Sequence, residues 1–403
     1  MVTRNKVTAT TSTVSKVNRT AIIEALIEHG PISRRQIGVL TGLSPATVNR
    51  LTGNLIAEDL VTQHGQEAST GGRPSILLRY TGSSRVVAGM QIRHDRASGI
   101  LVDFDGVIIH SQECLFDIAA AGGIDQVGQQ TIRLEKTIEL FDSLIAAAAR
   151  LGSPCLSIGV AVPGVVQEPD GRLGSIPELG WPEVALGAIL RERTSIPVII
   201  ENDANALAVG ELHRGAAQGV SNLVAIVLET GLGTGIITNG KLYRGHAAQA
   251  GEIGYMLMDR SALGKMFPQR GDLELRLGSV AMTRQAREQG LSIPDAELLS
   301  AQQFFALARS GDAIAGRVVA EFLDILSLAI AAMTSVLSPE LVVLGGGLAA
   351  DADTLIPGIR ERLIGRIPRI PSIVPAAHVE DAVMMGAAEL AARTVNGFTY
   401  VAQ

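Results

Sequence analysis

Two stretches of the chain decide its fold: residues 86–110 read VVAGMQIRHDRASGILVDFDGVIIH, and residues 223–243 read LVAIVLETGLGTGIITNGKLY. Each begins with an apolar strand, continues into a second strand, and reaches a third through Asp105-Gly106 or Asn239-Gly240. Asp-Gly and Asn-Gly between apolar runs are the strongest short hairpin signals. Because the same order recurs about 135 residues further along, the body of the protein is predicted to have two related lobes.

Helical stretches and further strands follow each repeat, among them Leu156–Val162 and Pro197–Ile200. This alternation predicts an α/β body. A cleft between two lobes is the usual place for a small ligand, so the main ligand site is predicted there.

The first 80 residues predict three short helices. The first covers about residues 17–29 at apolar helical spacing and ends at Gly30-Pro31. The second begins with a capping box, Ser33 and Gln36, and stops at Gly42, and Ser44-Pro45 opens the third. This spacing predicts a helix-turn-helix, in a domain that is all-α apart from a wing.

The third helix presents small, amide and guanidinium side chains away from its apolar stripe, and such groups can reach base edges in a major groove. Strands are predicted at residues 61–63 and 76–79, with a wing between them whose tip could enter a minor groove. The predicted DNA-binding residues are Arg34, Arg35, Ser44, Ala46, Thr47, Asn49, Arg50, Asn54 and Arg73. Arg34 and Arg35 are expected to contact phosphates rather than bases. A three-helix protein-interaction module is the alternative.

Charge is unevenly distributed along the chain. The net charge is −6, yet residues 1–80 hold nine Lys/Arg against five Asp/Glu, and the remainder holds 25 against 35. A basic head on an acidic body favours a nucleic-acid module joined to something else. Two cysteines exclude a disulfide framework. No signal peptide and no apolar run of about 18 residues is recognisable, which predicts a cytoplasmic protein without a membrane partner.

Glycine-rich motifs follow one another along the body in a fixed order. In chain order they are Gly159–Gly164 (GVAVPG), Gly180-Trp181, Glu201–Ala206 (ENDANA), Gly231–Gly235 (GLGTG), Gly251–Gly254 (GEIG) and Leu344–Gly347 (LGGG). With Gly72-Arg73-Pro74 after the helix-turn-helix, they resemble the repressor branch of the repressor and sugar-kinase family abbreviated ROK, from about residue 17 to residue 395. The resemblance implies an actin-like, hexokinase-like ATPase fold of two lobes, with a sugar in the cleft and ATP beside it in the kinase members.

The resemblance also implies a set of sugar contacts. Asn202 and Asp203 match the family's sugar-contacting pair, and Asp203 matches the base that accepts a proton from the attacking hydroxyl. The implied ligand-binding residues are Gly164, Asn202, Asp203, Glu252, Tyr255 and Glu274. The alternatives are an N-cap role for Asp203 and a solvated surface position for the two glutamates.

The chain departs from the family's kinases at the phosphate loop. Where they carry Asp-x-Gly-x-Thr, this chain has Gln91-Ile92-Arg93-His94-Asp95. Phosphoryl transfer depends on positioning and charge stabilisation, so no kinase activity, no catalytic residue and no cofactor are expected. Thr230–Gly235 and Gly345–Gly347 either approach a nucleotide, as in the kinases, or are only tight connections.

The family's zinc ligands are also absent. Tyr255 replaces the histidine, and the cysteine positions hold Lys265, Phe267 and Asp272, so no metal site is expected. The loop 259–275 is expected to be mobile, or to be pinned by packing of Phe267 and Leu273.

The predicted domains are a winged helix-turn-helix over residues 1–82, a first lobe over 83–200 with a C-terminal helix 383–403 packed back on it, and a second, dimerising lobe over 201–382. The predicted function is that of a repressor of carbohydrate genes, a homodimer or dimer of dimers, which binds operator DNA under control of a sugar or sugar phosphate. Two alternatives stay open: an active ATP-dependent sugar kinase with a DNA-binding domain, and a repressor controlled by a protein partner.

Overall fold

The computed structural model of the 403-residue chain describes residues 11–67, 75–116, 125–167, 171–174, 176, 179, 181, 183–228, 231–268, 270–295, 297–378 and 380–395. Its helices are α1 (Thr11–His29), α2 (Arg34–Thr41), α3 (Pro45–Ala57), α4 (Gln126–Arg150), α5 (Leu186–Arg191), α6 (Asp203–Arg214), α7 (Asp272–Leu277), α8 (Ser279–Glu288), α9 (Ala301–Arg309), α10 (Ala313–Leu337), α11 (Gly347–Ala350), α12 (Ala352–Leu363) and α13 (Ala382–Ala392). Its strands are β1 (Ile32–Ser33), β2 (Val61–Gln66), β3 (Ile76–Tyr80), β4 (Val86–Ile92), β5 (Arg96–Asp103), β6 (Ile108–Leu115), β7 (Cys155–Val162), β8 (Val166–Gln167), β9 (Arg172–Leu173), β10 (Val198–Asn202), β11 (Leu223–Leu228), β12 (Leu232–Thr238), β13 (Lys241–Leu242), β14 (Leu341–Gly346) and β15 (Ser372–Pro375).

The N-terminal head contains α1 to α3 and a small sheet of order β1-β3-β2. The predicted caps of α2 and α3 are confirmed: Ser33 and Gln36 form the capping box, Gly42 is left-handed with φ 69°, and Ser44 Oγ accepts a hydrogen bond from the backbone N–H of Thr47. Three boundaries differ from the prediction, because α1 begins at Thr11, β2 continues to Gln66 and β3 continues to Tyr80. The two-residue strand β1 was not predicted. A strand that short has no periodicity to detect.

The body contains two five-stranded sheets with the same topology. Their strand orders are β10-β7-β4-β5-β6 and β15-β14-β11-β12-β13. In each sheet the first three strands pair in parallel and the last three form an antiparallel meander. The predicted repeat is therefore confirmed. At the second turn, Asn239 and Gly240 have φ values of 51° and 70°, as a tight hairpin turn of the predicted kind requires.

Helix α13 lies in direct backbone contact with α6 and with the first sheet. A Cβ on Gly386 would be 1.8 Å from the carbonyl oxygen of Ala206, and one on Gly159 would be 2.0 Å from that of Ala387. The helix was predicted to reach residue 403, but it ends at Ala392, and residues 393–395 are not helical. Residues 396–403 lie outside the described part. The predicted lobe boundary after residue 200 falls inside β10, which belongs to the first sheet.

Helix α10 forms the centre of the second lobe. It is long and apolar enough to cross a membrane by length and composition, contrary to the expectation that no apolar run reaches that length. Half of its apolar window is buried within the protein, and Phe322 packs edge-on against Phe305 of α9 with ring centroids 5.4 Å apart. These contacts are those of a helix at the core of a lobe.

The head and the first lobe share one apolar cluster, which includes Leu55 and Leu78 of the head and Val87, Phe104 and Met385 of the body. Ser84 and Arg85, which lie between the head and the body, make polar contacts with the segment after α3. Arg85 donates to the carbonyl of Glu58, and Ser84 Oγ donates to that of Asp59 at 2.9 Å. The C-terminal end of α3 is thus attached to the first residues of the body.

Candidate functional site

Helix α3 presents a polar face to solvent. Its buried residues are Val48, Leu51, Thr52 and Leu55, and its exposed residues on the opposite side include Ala46, Asn49, Arg50 and Asn54. The helix contains no acidic residue. This face has the width and chemistry needed to enter a major groove.

The other predicted DNA-binding residues surround the start of α3. Ser44 and Thr47 share a hydroxyl–hydroxyl hydrogen bond of 2.9 Å. Arg34 is half-buried and donates from Nε to Thr52 Oγ1 at 2.8 Å, so it also holds α2 against α3, whereas Arg35 is exposed. Arg73 lies outside the described residues. The structure therefore places six of the nine predicted residues in α3 or at its N-cap and a seventh, Arg34, in contact with α3, while Arg35 is exposed in the first turn of α2.

Replacing Arg50 with alanine is expected to weaken binding to a selected operator by about 10- to 100-fold, the cost of one lost base contact of roughly 1–3 kcal/mol. Binding to an unrelated duplex should change much less. Arg35→Ala is the matched comparison, because loss of a phosphate contact weakens binding to both duplexes alike. It also lowers by about one the slope of the logarithm of the binding constant against that of the salt concentration. Fluorescence anisotropy at several salt concentrations measures the affinity for each duplex and its dependence on salt. Equal losses on the two duplexes for Arg50→Ala would assign it to the backbone instead.

A second candidate site begins where β10 runs into α6. Asn202 caps α6, since its Oδ1 accepts from the backbone N–H of Asn205 at 3.0 Å, and its Nδ2 donates to the carbonyl of Gly164 at 3.0 Å. Asp203 is the first residue of the helix, and its Oδ1 accepts from the N–H of Ala204 at 2.8 Å. The N-cap is thus Asn202, so the alternative N-cap role of Asp203 is wrong.

Two glycines, one in β12 and one just before it, lie beside predicted carboxylates of two different helices. A Cβ on Gly233 would lie 3.5 Å from Asp203 Oδ1 of α6, and one on Gly231 would lie 3.6 Å from Glu274 Oε1 of α7. Glu274 is mostly buried, with Arg270 Nε 3.6 Å from its Oε1. Carboxylate oxygens accept hydrogen bonds from hydroxyl groups, so the chemistry of these side chains suits a polyhydroxylated ligand.

The loop that carries Glu252 packs against the same strand. A Cβ on Gly251 would lie 1.9 Å from the carbonyl oxygen of Thr234, within β12. Glu252 precedes a 3-10 turn, Ile253–Tyr255, and the side chain of Tyr255 is 46% exposed. The structure therefore gathers Asn202, Asp203, Glu274 and the Glu252 loop around β12, with Gly164 bonded to Asn202. Tyr255 stands at the solvent edge.

One buried carboxylate in this region was not predicted. Glu201 is 5% exposed and accepts three kinds of hydrogen bond, from the Asn202 N–H at 2.9 Å, from Asn205 Nδ2 at 3.0 Å and from Arg244 Nε at 3.0 Å. The sequence gives one indication of this role: an acidic residue stands inside an apolar strand, directly before Asn202, and a buried charge there requires partners.

Glycines in two of the other motifs are explained by packing. A Cβ on Gly235 would lie 2.2 Å from the carbonyl oxygen of Ala204, and one on Gly345 would lie 2.3 Å from Leu207 Cδ2. Both glycines therefore let α6 lie directly on the second sheet. Glu229 and Thr230 lie outside the described residues.

Charged contacts hold the loop at 259–275. Asp272, at one of the family's cysteine positions, accepts from the Met258 N–H at 2.8 Å and from Arg276 Nε at 3.1 Å. Asp259 accepts from Ser261 and pairs with Arg276, and these hydrogen bonds hold its pKa well below its ordinary value. Leu273 is buried and Phe267 half-buried, so apolar packing adds to this ionic cluster. Within the described ranges, no group of three or more His, Cys, Asp or Glu is placed to hold a metal ion.

Removal of metal with EDTA is expected to leave the melting temperature unchanged, because the ionic cluster stands where the family has zinc. Arg276→Ala is expected to lower the free energy of unfolding by about 1–3 kcal/mol, since it leaves the buried Asp272 without its charged partner. Arg284→Ala is the control, because Arg284 is 73% exposed and its pair with Glu288 is worth at most about 0.5 kcal/mol. Calorimetry with and without EDTA measures both effects, and a large shift on chelation would contradict the assignment.

The altered 91–95 segment borders a cavity of about 750 Å³ between the lobes. Its lining includes Arg93 and Arg96, together with four carboxylates, those of Asp95, Glu113, Glu380 and Asp381. Arg96 donates to Asp95 at 2.8 Å and to Glu113 at 3.3 Å. The hydrogen bond from Arg96 to Asp95 lowers the pKa of Asp95. The lining residues thus carry more carboxylates than guanidinium groups.

The fold and the two sites define a winged helix-turn-helix joined to a two-lobed, hexokinase-like body. The chain belongs to the ROK family, whose model matches residues 90–394, and a model described as winged helix-turn-helix DNA-binding matches residues 17–62.

Relatives of this chain include regulators and kinases. It is 27% identical to the xylose repressor of Bacillus spizizenii, with 88% of each chain covered. It is 31% identical to the glucokinase of Halalkalibacterium halodurans, over 58% of this chain and 74% of that one. A solved ROK family transcriptional regulator, a homologue of the E. coli MLC protein, superposes with a TM-score of 0.78 at 25% identity and covers 95% of this chain and 97% of its own.

Proposed function

We propose that the protein is a sequence-specific transcriptional repressor of carbohydrate genes whose operator binding is controlled by a sugar or sugar phosphate in the interlobe cleft. The observation that carries the proposal is the combination of a DNA-reading α3 with acceptors gathered around β12. The xylose repressor matches the head and the body together, whereas the glucokinase covers little more than half of the chain. A DNA-binding regulator works in the cytoplasm.

The cleft chemistry supports sugar recognition. Asn202, Asp203, Glu252 and Glu274 supply carboxylate and amide groups, which bind hydroxyls by charge-assisted and neutral hydrogen bonds. The ligand is a regulator rather than a substrate in this proposal, because the 91–95 segment has neither the close-approach glycine nor the hydroxyl of a phosphate loop. Its Asp95 is already engaged by Arg96.

Control of DNA binding follows from the attachment of the head. Closure of the cleft moves the first lobe, and Ser84 and Arg85 connect that lobe to the segment just after α3. In a homodimer, such movement changes the spacing of the two recognition helices. A sugar that prefers one state a hundredfold supplies about 2.7 kcal/mol of coupling.

Calorimetric titration with monosaccharides, sugar phosphates and ATP–Mg²⁺, with and without operator DNA, tests the proposal. We expect one sugar to bind with different affinity in the two conditions and ATP not to bind. Equal sugar affinity with and without DNA would refute control by the sugar and would favour regulation by a protein partner.

An active sugar kinase is the second candidate, favoured by the retained Asp203 and by the 31% identity to a glucokinase. A coupled assay for ADP over a hexose panel distinguishes it. Turnover of any hexose would identify the protein as a kinase with a DNA-binding head.

A further inference from the structure

Glu201 connects the two sheets at the base of the proposed sugar site. It lies in β10 of the first sheet, whereas Arg244 follows β13 at the edge of the second. Arg244 donates to one oxygen of the carboxylate, Glu201 Oε2, from Nε at 3.0 Å and from Nη2 at 2.5 Å. The other oxygen, Oε1, accepts from the Asn202 N–H at 2.9 Å and from Asn205 Nδ2 at 3.0 Å.

Each oxygen thus serves a different half of the site. Oε1 fixes the backbone of Asn202 and the side chain of Asn205 at the start of α6. Oε2 fixes Arg244, whose carbonyl accepts from the N–H of Ala250 at 3.1 Å and so closes the loop that leads to Glu252. A loop held at its base by a buried charge loses less freedom when a ligand binds to its tip.

The ion pair is asymmetric in exposure. The side chain of Glu201 is 6% exposed and that of Arg244 is 37% exposed. A buried carboxylate is costly without partners, so Glu201 holds Arg244 firmly. Truncation of Arg244 alone leaves the Glu201 charge buried without its partner, whereas the double variant E201Q/R244A removes that charge as well.

We propose that Glu201 is a positioning residue for the sugar site, orienting Asn202 directly and Glu252 through Arg244. It touches the ligand in neither role. The proposal rests on the proposed function as far as ligand affinity is concerned, but its structural part, the ordering of residues 249–256 by Arg244, is independent of any ligand.

The test compares Arg244→Ala, Arg244→Lys and the double variant E201Q/R244A in the full-length protein. Lys241→Ala is the matched control, since Lys241 is an exposed cation on β13, three residues earlier. Hydrogen exchange of the free protein reports on residues 249–256, and calorimetric titration with the panel of monosaccharides and sugar phosphates reports on affinity.

We expect Arg244→Ala to speed exchange at residues 249–256 without changing β14, and to weaken sugar binding by about tenfold or more, as loss of a hydrogen-bonded buried charge pair does. Arg244→Lys should recover most of both effects, because a charged donor is restored. E201Q/R244A should bind sugar about as weakly as R244A alone, since residues that act through one contact are not additive. Lys241→Ala should match the wild type.

Unchanged exchange at residues 249–256 in Arg244→Ala would overturn the proposal. Faster exchange throughout the body in E201Q/R244A, which leaves no buried charge behind, would also overturn it, because it would indicate a general loss of stability. Failure of the proposed function is distinguishable. If the wild type binds no sugar of the panel while Arg244→Ala still loosens residues 249–256, the sugar assignment is wrong and the Glu201–Arg244 connection stands.

Discussion

Replacing Asp203 with alanine is expected to weaken binding of the effector sugar at least about hundredfold. Its carboxylate lies at the start of α6 beside Gly233, where it can accept hydrogen bonds from two hydroxyls. Hydrogen bonds to a charged group contribute roughly 1.5–3 kcal/mol each, and two of them exceed the 2.7 kcal/mol that a hundredfold change represents. Calorimetric titration of the purified variant measures the loss.

Two further variants sharpen this result. Asp203→Asn keeps the shape of the side chain and one acceptor, so it should bind with intermediate affinity. Asp295→Ala removes an exposed carboxylate that belongs to neither candidate site and should bind sugar normally. Operator binding without sugar should be unchanged in all three variants. Sugar affinity of Asp203→Ala within threefold of the wild type would remove Asp203 from the site.

A Gly386→Ala substitution is expected to lower the free energy of unfolding by about 3 kcal/mol or more, in the range of severe overpacking. Its Cβ would lie 1.8 Å from the carbonyl oxygen of Ala206 on the facing helix α6, and a Cβ on Gly210 of that helix would lie 2.9 Å from Gly386 Cα. Neither backbone can retreat, because α13 also rests on β4 and β7. Urea denaturation gives the change in free energy from the shift in midpoint.

Gly316→Ala is the matched control within a helix. A Cβ at Gly316 in α10 meets no atom within 4 Å, so alanine there should leave stability unchanged or raise it by up to about 1 kcal/mol through helix propensity. If the two substitutions had the same effect, the close contact between α6 and α13 would not be the reason for the glycine at 386.

The head was predictable almost entirely from local signals. Ser33, Gly42 and Ser44 act within one helical turn of their own position, and each does in the structure what its pattern indicates. The main exceptions are the two-residue strand β1, the extension of β2 to Gln66 and the start of α1. The two strands depend on pairing with β3, and the start of α1 is a polar segment without apolar periodicity.

The candidate sugar site was only partly predictable. Asn202 and Asp203 belong to a short motif that can be recognised by itself, whereas Glu201 matters through Arg244, 43 residues away, and Asp259 through Arg276, 17 residues away. Ion pairs at that separation leave no periodic trace in a sequence. The loop at 259–275 could therefore be recognised as lacking zinc ligands, but not as held by charge.

Local patterns in the chain are enough to predict the repeated lobes, the helix-turn-helix and its caps, because strand alternation, hairpin turns and caps are properties of neighbouring residues. Packing in three dimensions alone reveals which glycines are needed for close contact, where α13 ends, and how Asp203 of α6 and Glu274 of α7 come to lie beside Gly233 and Gly231. The physical reason is that these features depend on the close approach of backbones far apart in the chain. Gly386 and Gly159 are needed only because a backbone carbonyl from another part of the chain occupies the space that a side chain would fill.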